Sequence, residues 1–214
     1  MAFFTNAIAS HLRKPGGGFT GRFVKFMLKI KNQGMEIAAV ANSNIEPNDV
    51  VLELGFGPGL GLKDAAEKVK NGEGKVYGID FSPAMMAEAM NLLEAEVASG
   101  KVQLTLGDVA DLPYRDNSID KVYHSNCYYF WEDRETVLKG ILRVLKPNGK
   151  MITALNKVSL NLAEQRGFLR EEQYNPDQYM EQLKANNFTD VIIKDYRVEE
   201  LDYTCQVITA TKQN

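Results

Sequence analysis

Four short groups of residues could do chemistry in this chain, and each falls where an apolar run gives way to a turn. The first is Glu53-Leu54-Gly55-Phe56-Gly57-Pro58-Gly59. Its three glycines on alternate positions let the backbone turn sharply and come close to a ligand. A helix-like segment follows, whose N-terminus would aim unpaired N–H groups and a positive dipole end at that ligand. Such a loop suits a nucleotide, yet a tight turn that binds nothing would use the same glycines. Glu53 is a charge inside the apolar run 50–54, so it needs a charged or donor-rich partner, for which a ligand amine or a nearby N–H would serve. The second group ends Lys75-Val76-Tyr77-Gly78-Ile79-Asp80, where a carboxylate at a strand tip can accept both hydroxyls of a ribose. Capping a helix is the competing role for Asp80, but Ser82-Pro83 already supplies a cap. Phe81 could then pack on the base. In the third group, Gly107-Asp108-Val109-Ala110-Asp111, the Asp108 carboxylate and the next N–H can read the amino edge and ring nitrogen of adenine, while Asp111 reads as a turn residue. The fourth, Ser125-Asn126-Cys127-Tyr128-Tyr129-Phe130-Trp131, puts polar groups and aromatics where a strand leaves its sheet, which suits a pocket wall.

The elements needed to position these groups are legible as alternating patterns. Strands are expected at 50–55, 75–80, 102–107, 119–126 and 149–156, with helices near 58–70, 83–98 and 133–145. This alternation implies right-handed crossovers and an open α/β sheet, mostly parallel, with helices on both faces. Ahead of it lie helical stretches at 2–14, 20–31 and 34–41, with a break at Lys14-Pro15-Gly16-Gly17-Gly18 able to act as a lid hinge. After it come an aperiodic stretch at 157–175, a helix at 176–187, and strands at 190–196 and 204–210. The last two are joined too tightly for a helix, so they should pair as a hairpin and give the parallel sheet an antiparallel edge. The chain reads as one domain over 1–214: a helical lid at 1–45, a binding core at 46–156, an insert at 157–175, and a C-terminal helix and hairpin at 176–214.

Composition narrows the class. The chain has 214 residues, 44% hydrophobic and 25% charged, with a net charge of −3, so nothing draws it towards nucleic acid. Cys127 and Cys205 make neither a disulfide framework nor a zinc site; no metal is expected, and a reducing, cytoplasmic setting fits. No apolar stretch reaches the ~18 residues needed to span a bilayer. No acidic residue precedes Glu36. That basic N-terminus could be a transit sequence, a peripheral membrane contact or a solvated helix, and the last is the plainest reading.

Taken in order, Val-Leu-Glu-Leu-Gly-Phe-Gly-Pro-Gly, Gly-Ile-Asp-Phe-Ser-Pro, Gly-Asp-Val-Ala-Asp-Leu-Pro-Tyr and Leu-Arg-Val-Leu-Lys-Pro-Asn-Gly-Lys resemble the class I S-adenosylmethionine-dependent methyltransferases. The likeness is greatest to the ubiquinone/menaquinone-type small-molecule group, the type 11 methyltransferases. It covers about 48–155 at the level of motifs. It implies a Rossmann-like three-layer sandwich with a seven-stranded, mostly parallel sheet, an antiparallel C-terminal strand and N-terminal lid helices. It also implies S-adenosyl-L-methionine as cofactor, S-adenosyl-L-homocysteine as product and a small-molecule methyl acceptor. By the same resemblance Glu53, Gly55, Gly57 and Gly59 surround the methionine part. Asp80 takes the ribose, Phe81 lies beside the adenine, Asp108 and Val109 hold it, and Asn126 lines the pocket near the sulfonium.

The acceptor is expected between the N-terminal helices and the 157–175 insert, with Phe19, Phe23, Tyr128, Tyr129, Phe168 and Tyr174 as pocket candidates; core packing is the competing role for each. If a base is needed, His124 is the candidate, because strand alternation puts it on the face of Asn126; Tyr128 and Tyr129 could orient a polar acceptor atom. Two rival classes stay open: a nicotinamide-dependent oxidoreductase with a similar glycine loop, and a non-catalytic cofactor-binding subunit of the same fold. Glu53 and Asp108-Val109 speak against the first.

Overall fold

A computed structural model describes residues 32–213. It contains one sheet of seven strands: β1 (Val50–Leu54), β2 (Lys75–Asp80), β3 (Val102–Leu106), β4 (Ile119–Ser125), β5 (Leu145–Leu155), β6 (Phe188–Val198) and β7 (Tyr203–Lys212). Their order is β3-β2-β1-β4-β5-β7-β6. The first five run parallel, and β7 runs antiparallel to both β5 and β6. The antiparallel strand is therefore inside the sheet and not at its edge, because β7 returns between β5 and β6 and leaves β6 as the outer strand. The chain leaves β1 towards β2 on one side and leaves β4 towards β5 on the other. A crevice at the carboxyl ends of β1 and β4 is the expected consequence.

Both faces of the sheet are covered, which is why β1 and the second half of β5 are mainly apolar. Leu52, Leu54 and Val122 join one core with Leu138, Ile141, Tyr179 and Leu183. Val51, Tyr123 and Ile152 join the other with Met35, Phe56, Leu62 and Ala65. Each fully buried large side chain here contributes about 1.5–3 kcal/mol.

The helices are α1 (32–42), α2 (Leu60–Val69), α3 (Pro83–Leu92), α4 (Glu94–Ala98), α5 (Arg134–Val144), α6 (Lys157–Gln165), α7 (Glu171–Tyr174) and α8 (Pro176–Ala185). Local chemistry sets their starts. Ser82, followed by Pro83, accepts the Met85 N–H at 3.4 Å, and Asp133 accepts that of Thr136 at 3.0 Å. The single helix expected over 83–98 is two, since Leu93 leaves helical geometry (φ −111°, ψ 21°) and is fully buried. The aperiodic stretch 157–175 holds α6 and α7. The helices expected at 2–14 and 20–31, the hinge at 14–18, and the pocket candidates Phe19 and Phe23 lie outside the described residues.

Candidate active site

The glycine loop closes the tip of β1. Gly55 has φ +70°, and a Cβ there would come within 2.9 Å of the Cys127 Sγ, so only glycine lets β1 and the end of β4 approach this closely. Gly57, at φ +53°, faces open space and donates its N–H to Asp80 Oδ2 at 2.9 Å. The other carboxylate oxygen of Asp80 accepts the Ser82 N–H at 2.8 Å. Two backbone donors thus aim one carboxylate, which keeps lone pairs for a ligand. Burial raises the Asp80 carboxyl above its ordinary range, and the Ser82 and Gly57 bonds work against that shift.

Around this point lies a cavity of about 600 Å³, a size suited to small molecules. Gly55, Gly57, Asp80, Phe81, Asp108, Val109 and Asn126 all line it, so seven of the nine cofactor candidates converge. Asp108 Oδ1 accepts the Ala110 N–H at 2.9 Å, which fixes the turn after β3. Asn126 ends β4 in a left-handed conformation (φ +51°) and donates its side-chain amide to Asn32 Oδ1 of α1 at 2.9 Å. Tyr129 and Phe168 also reach the cavity.

Five candidates stand behind the wall. Glu53 is 1% exposed and accepts the Tyr123 hydroxyl at 3.0 Å. Burial lifts its carboxyl well above the usual carboxylate range, the nearby Glu36 carboxylate adds to this, and the Tyr123 bond opposes it. The side chain faces α1 and α2, crowding the site where Gly61 can have no Cβ. Within the protein, Glu53 thus has the Tyr123 hydroxyl as a donor partner. Gly59, at φ +90°, starts α2 and packs against Ala89 and Leu93 of α3 and its end. Tyr128 is fully buried, stacks on Tyr179 at 4.1 Å between ring centres, and donates to the carbonyl of Tyr174. Tyr174 turns its own hydroxyl away, donating to Glu164 Oε2 at 2.7 Å.

His124 is the fifth. It is fully buried, with Nε2 at 2.9 Å from Thr153 Oγ1 and 3.2 Å from the Tyr179 hydroxyl. Burial pushes its pKa down to about 3, so it stays neutral at physiological pH. It does not share a face with Asn126, because the left-handed turn at Asn126 breaks the alternation of β4 after Ser125. The cavity thus has no histidine on its wall among the described residues, and base catalysis by His124 has no geometric support. Tyr129 does line it, and burial raises its phenol well above the usual range, leaving it a neutral donor.

The rest of the wall includes residues that patterns did not single out. Leu160, Leu162, Ala163 and Arg166 come from α6, Leu169 from the loop behind it, and Asn32 and Met35 from α1. The signal for α6 was Asn156, whose side chain accepts the Ser159 N–H at 2.7 Å and starts the helix. Trp131, the single tryptophan of the chain, also lines the cavity and donates Nε1–H to Cys127 Sγ at 3.2 Å. Burial pushes the Cys127 thiol up to about 12, so it is no nucleophile here. No group of three or more metal-ligating side chains occurs among the described residues, nor does any helix long and apolar enough to cross a membrane.

These residues fit an adenosyl ligand. Bare backbone at Gly55 and Gly57 leaves room beside Asp80, and the Asp108–Val109 turn stands on the same cavity. Comparison with known proteins agrees. Residues 52–153 match the family model described as "Methyltransferase domain". An uncharacterized methyltransferase of Bacillus subtilis is 31% identical over 125 residues, 58% of this chain and 66% of that protein. The demethylmenaquinone methyltransferase of Symbiobacterium thermophilum is 34% identical over 114 residues, 53% of this chain and 45% of that one. The chain therefore spans between about half and two thirds of the length of these curated relatives. Among solved structures, an S-adenosylmethionine-dependent methyltransferase from Aquifex aeolicus superposes with a TM-score of 0.67 at 17% identity, covering 96% of this chain and 97% of its own.

Proposed function

We propose that this chain, which carries a class I S-adenosylmethionine-dependent methyltransferase domain, transfers a methyl group to a small, mainly apolar or aromatic acceptor. The observation that carries this reading is the convergence of Gly57, Asp80, Asp108 and Asn126, from the ends of four parallel strands, on one cavity with an aromatic and aliphatic wall. S-adenosylmethionine, when bound, supplies an electrophilic methyl group on a sulfonium. Asp80 would hold the ribose and Phe81 would cover one face of the adenine. Asp108 and the Val109 N–H would read the edge of that base, and Gly55, Gly57 and Asn126 would enclose the methionine end.

The chain's own contribution is position and exclusion of water. Tyr129 and Phe130 line the cavity, and Tyr129 can donate a hydrogen bond to an acceptor atom but cannot take its proton. An acceptor that needs little base assistance suits this wall best. The free thiols of Cys127 and Cys205 accord with a cytoplasmic, reducing setting.

A screen with isotopically labelled cofactor over quinols, phenols, amines and sterol-like lipids tests the reading. Transfer to an aromatic or apolar acceptor is the expected result. Cofactor binding without transfer to any class would favour a non-catalytic subunit.

A further inference from the structure

Five acidic side chains line the cavity, and each has a task. Asp80 and Asp108 belong to the nucleotide reading above. Asp133 caps α5, with Oδ1 bound to the Thr136 N–H at 3.0 Å and Oδ2 to its hydroxyl at 2.7 Å. Glu88 and Glu132 are engaged with other groups of the protein. Among the described residues Arg166 is the one cation on the wall, and its guanidinium has no ion-pair partner there.

The position of Arg166 is fixed by its backbone. It closes α6, its N–H donating to the Leu162 carbonyl at 3.2 Å, and the next two N–H groups fold back onto Glu164 and Ala163 at 2.7 and 2.8 Å. Gly167, at φ +73°, makes that reversal possible. Arg166 is exposed, and it lines the cavity together with Leu162, Ala163 and Phe168, which are apolar. An arginine at a helix C-terminus can merely favour the helix dipole, but that role needs no cavity. A planar fork of donors with no carboxylate of its own, on an exposed residue of a partly apolar cavity, is free to take an oxyanion from outside.

We propose that Arg166 is a specificity-determining residue that receives an oxyanion, a carboxylate or a phosphate, carried on the apolar body of the methyl acceptor. This rests on the acceptor entering the cavity beside α6, as the methyltransferase reading requires. An amine-bearing acceptor would find no uncommitted carboxylate there and would face the Arg166 charge.

Trp131 provides the readout, since it is the only tryptophan and lines this cavity. Fluorescence titrations of the full chain, with and without saturating S-adenosylhomocysteine, would compare phenylbutyrate, phenylbutyl phosphate, phenylbutanol and phenylbutylamine. At least one of the two acids should bind about tenfold or more tighter than the alcohol, and the better acid names the oxyanion. Arg166→Ala should bring both acids to the level of the alcohol with the homocysteine affinity unchanged, and Arg166→Lys should restore part of the preference. The proposal is overturned if the alcohol or amine binds as well as both acids, if no acid binds, or if the preference survives Arg166→Ala. Discrimination among the probes without any binding of S-adenosylhomocysteine would sink the cofactor reading and leave the role of Arg166 standing.

Discussion

At the strand tips the cavity wall is mostly backbone: Gly55 and Gly57 lie bare, and one carboxylate, Asp80, is aimed by two N–H groups at 2.9 and 2.8 Å. Along α6 the wall is side chains: Leu160, Leu162, Ala163 and Arg166 reach the cavity from a helix that depends on Asn156 for its start. Backbone exposure demands particular residues at particular places, whereas a hydrophobic wall accepts any side chain of about the right size. The first half therefore fixes what is bound with little freedom, and the second can change its ligand by changing one helix. The two halves should accordingly fail in different ways.

The largest expected effect is at Gly55. Gly55→Val would force a branched side chain into left-handed geometry and drive it at Cys127, costing about 2–5 kcal/mol in urea unfolding. Stability within about 0.5 kcal/mol of the parent would mean that the close approach of β1 and β4 is not demanded.

Asp80→Ala should weaken S-adenosylhomocysteine binding by about 1–3 kcal/mol through lost charge-assisted hydrogen bonds. Calorimetry on the same variant should show a smaller change in folding stability than in affinity. Equal losses would make Asp80 a structural cap and not a ligand contact.

Behind both halves, His124 sets a pH dependence. Its folded pKa lies near 3, below the unfolded value near 6.5, so the unfolded chain binds the extra proton between those limits. Its contribution is complete above about pH 6.5 and is lost as pH falls towards 3, at about 1.4 kcal/mol per pH unit. Urea unfolding at pH 5 and pH 7 should therefore differ less in His124→Gln than in the parent. An unchanged difference would show that the histidine titrates normally.

The smallest effect belongs to the helical half. Asn156→Ala removes the cap of α6 and should cost about 0.5–2 kcal/mol, with hydrogen exchange rising in α6 and the affinity for S-adenosylhomocysteine unchanged. A matching loss of affinity would mean the two halves are not independent.

The same contrast explains how much the sequence discloses. The nucleotide end is readable because glycine, aspartate and asparagine recur in order at the ends of successive strands, and seven of the nine residues expected there do line the cavity. Glu53 and Gly59 do not line the cavity, and spacing cannot say which way a strand residue faces: Glu53 turns to Tyr123 on the neighbouring β4, and Gly59 packs against Ala89 and Leu93. On the helical half, Val158, Leu160 and Leu162 alternate like a strand, which masks α6 in the sequence, and only the Asn156 cap signals it. Tyr128, Tyr174 and His124 looked like pocket residues by type, and tertiary packing made them core. The position of β7 inside the sheet could not follow from a hairpin alone, which says only that two strands pair.

Calorimetric titration of the parent and Asp80→Ala with S-adenosylhomocysteine, and of the parent with NAD, tests the central claim most directly. The structure leads us to expect binding of the homocysteine form, its weakening in Asp80→Ala, and no comparable affinity for NAD. Tight NAD binding with none for S-adenosylhomocysteine would contradict the account.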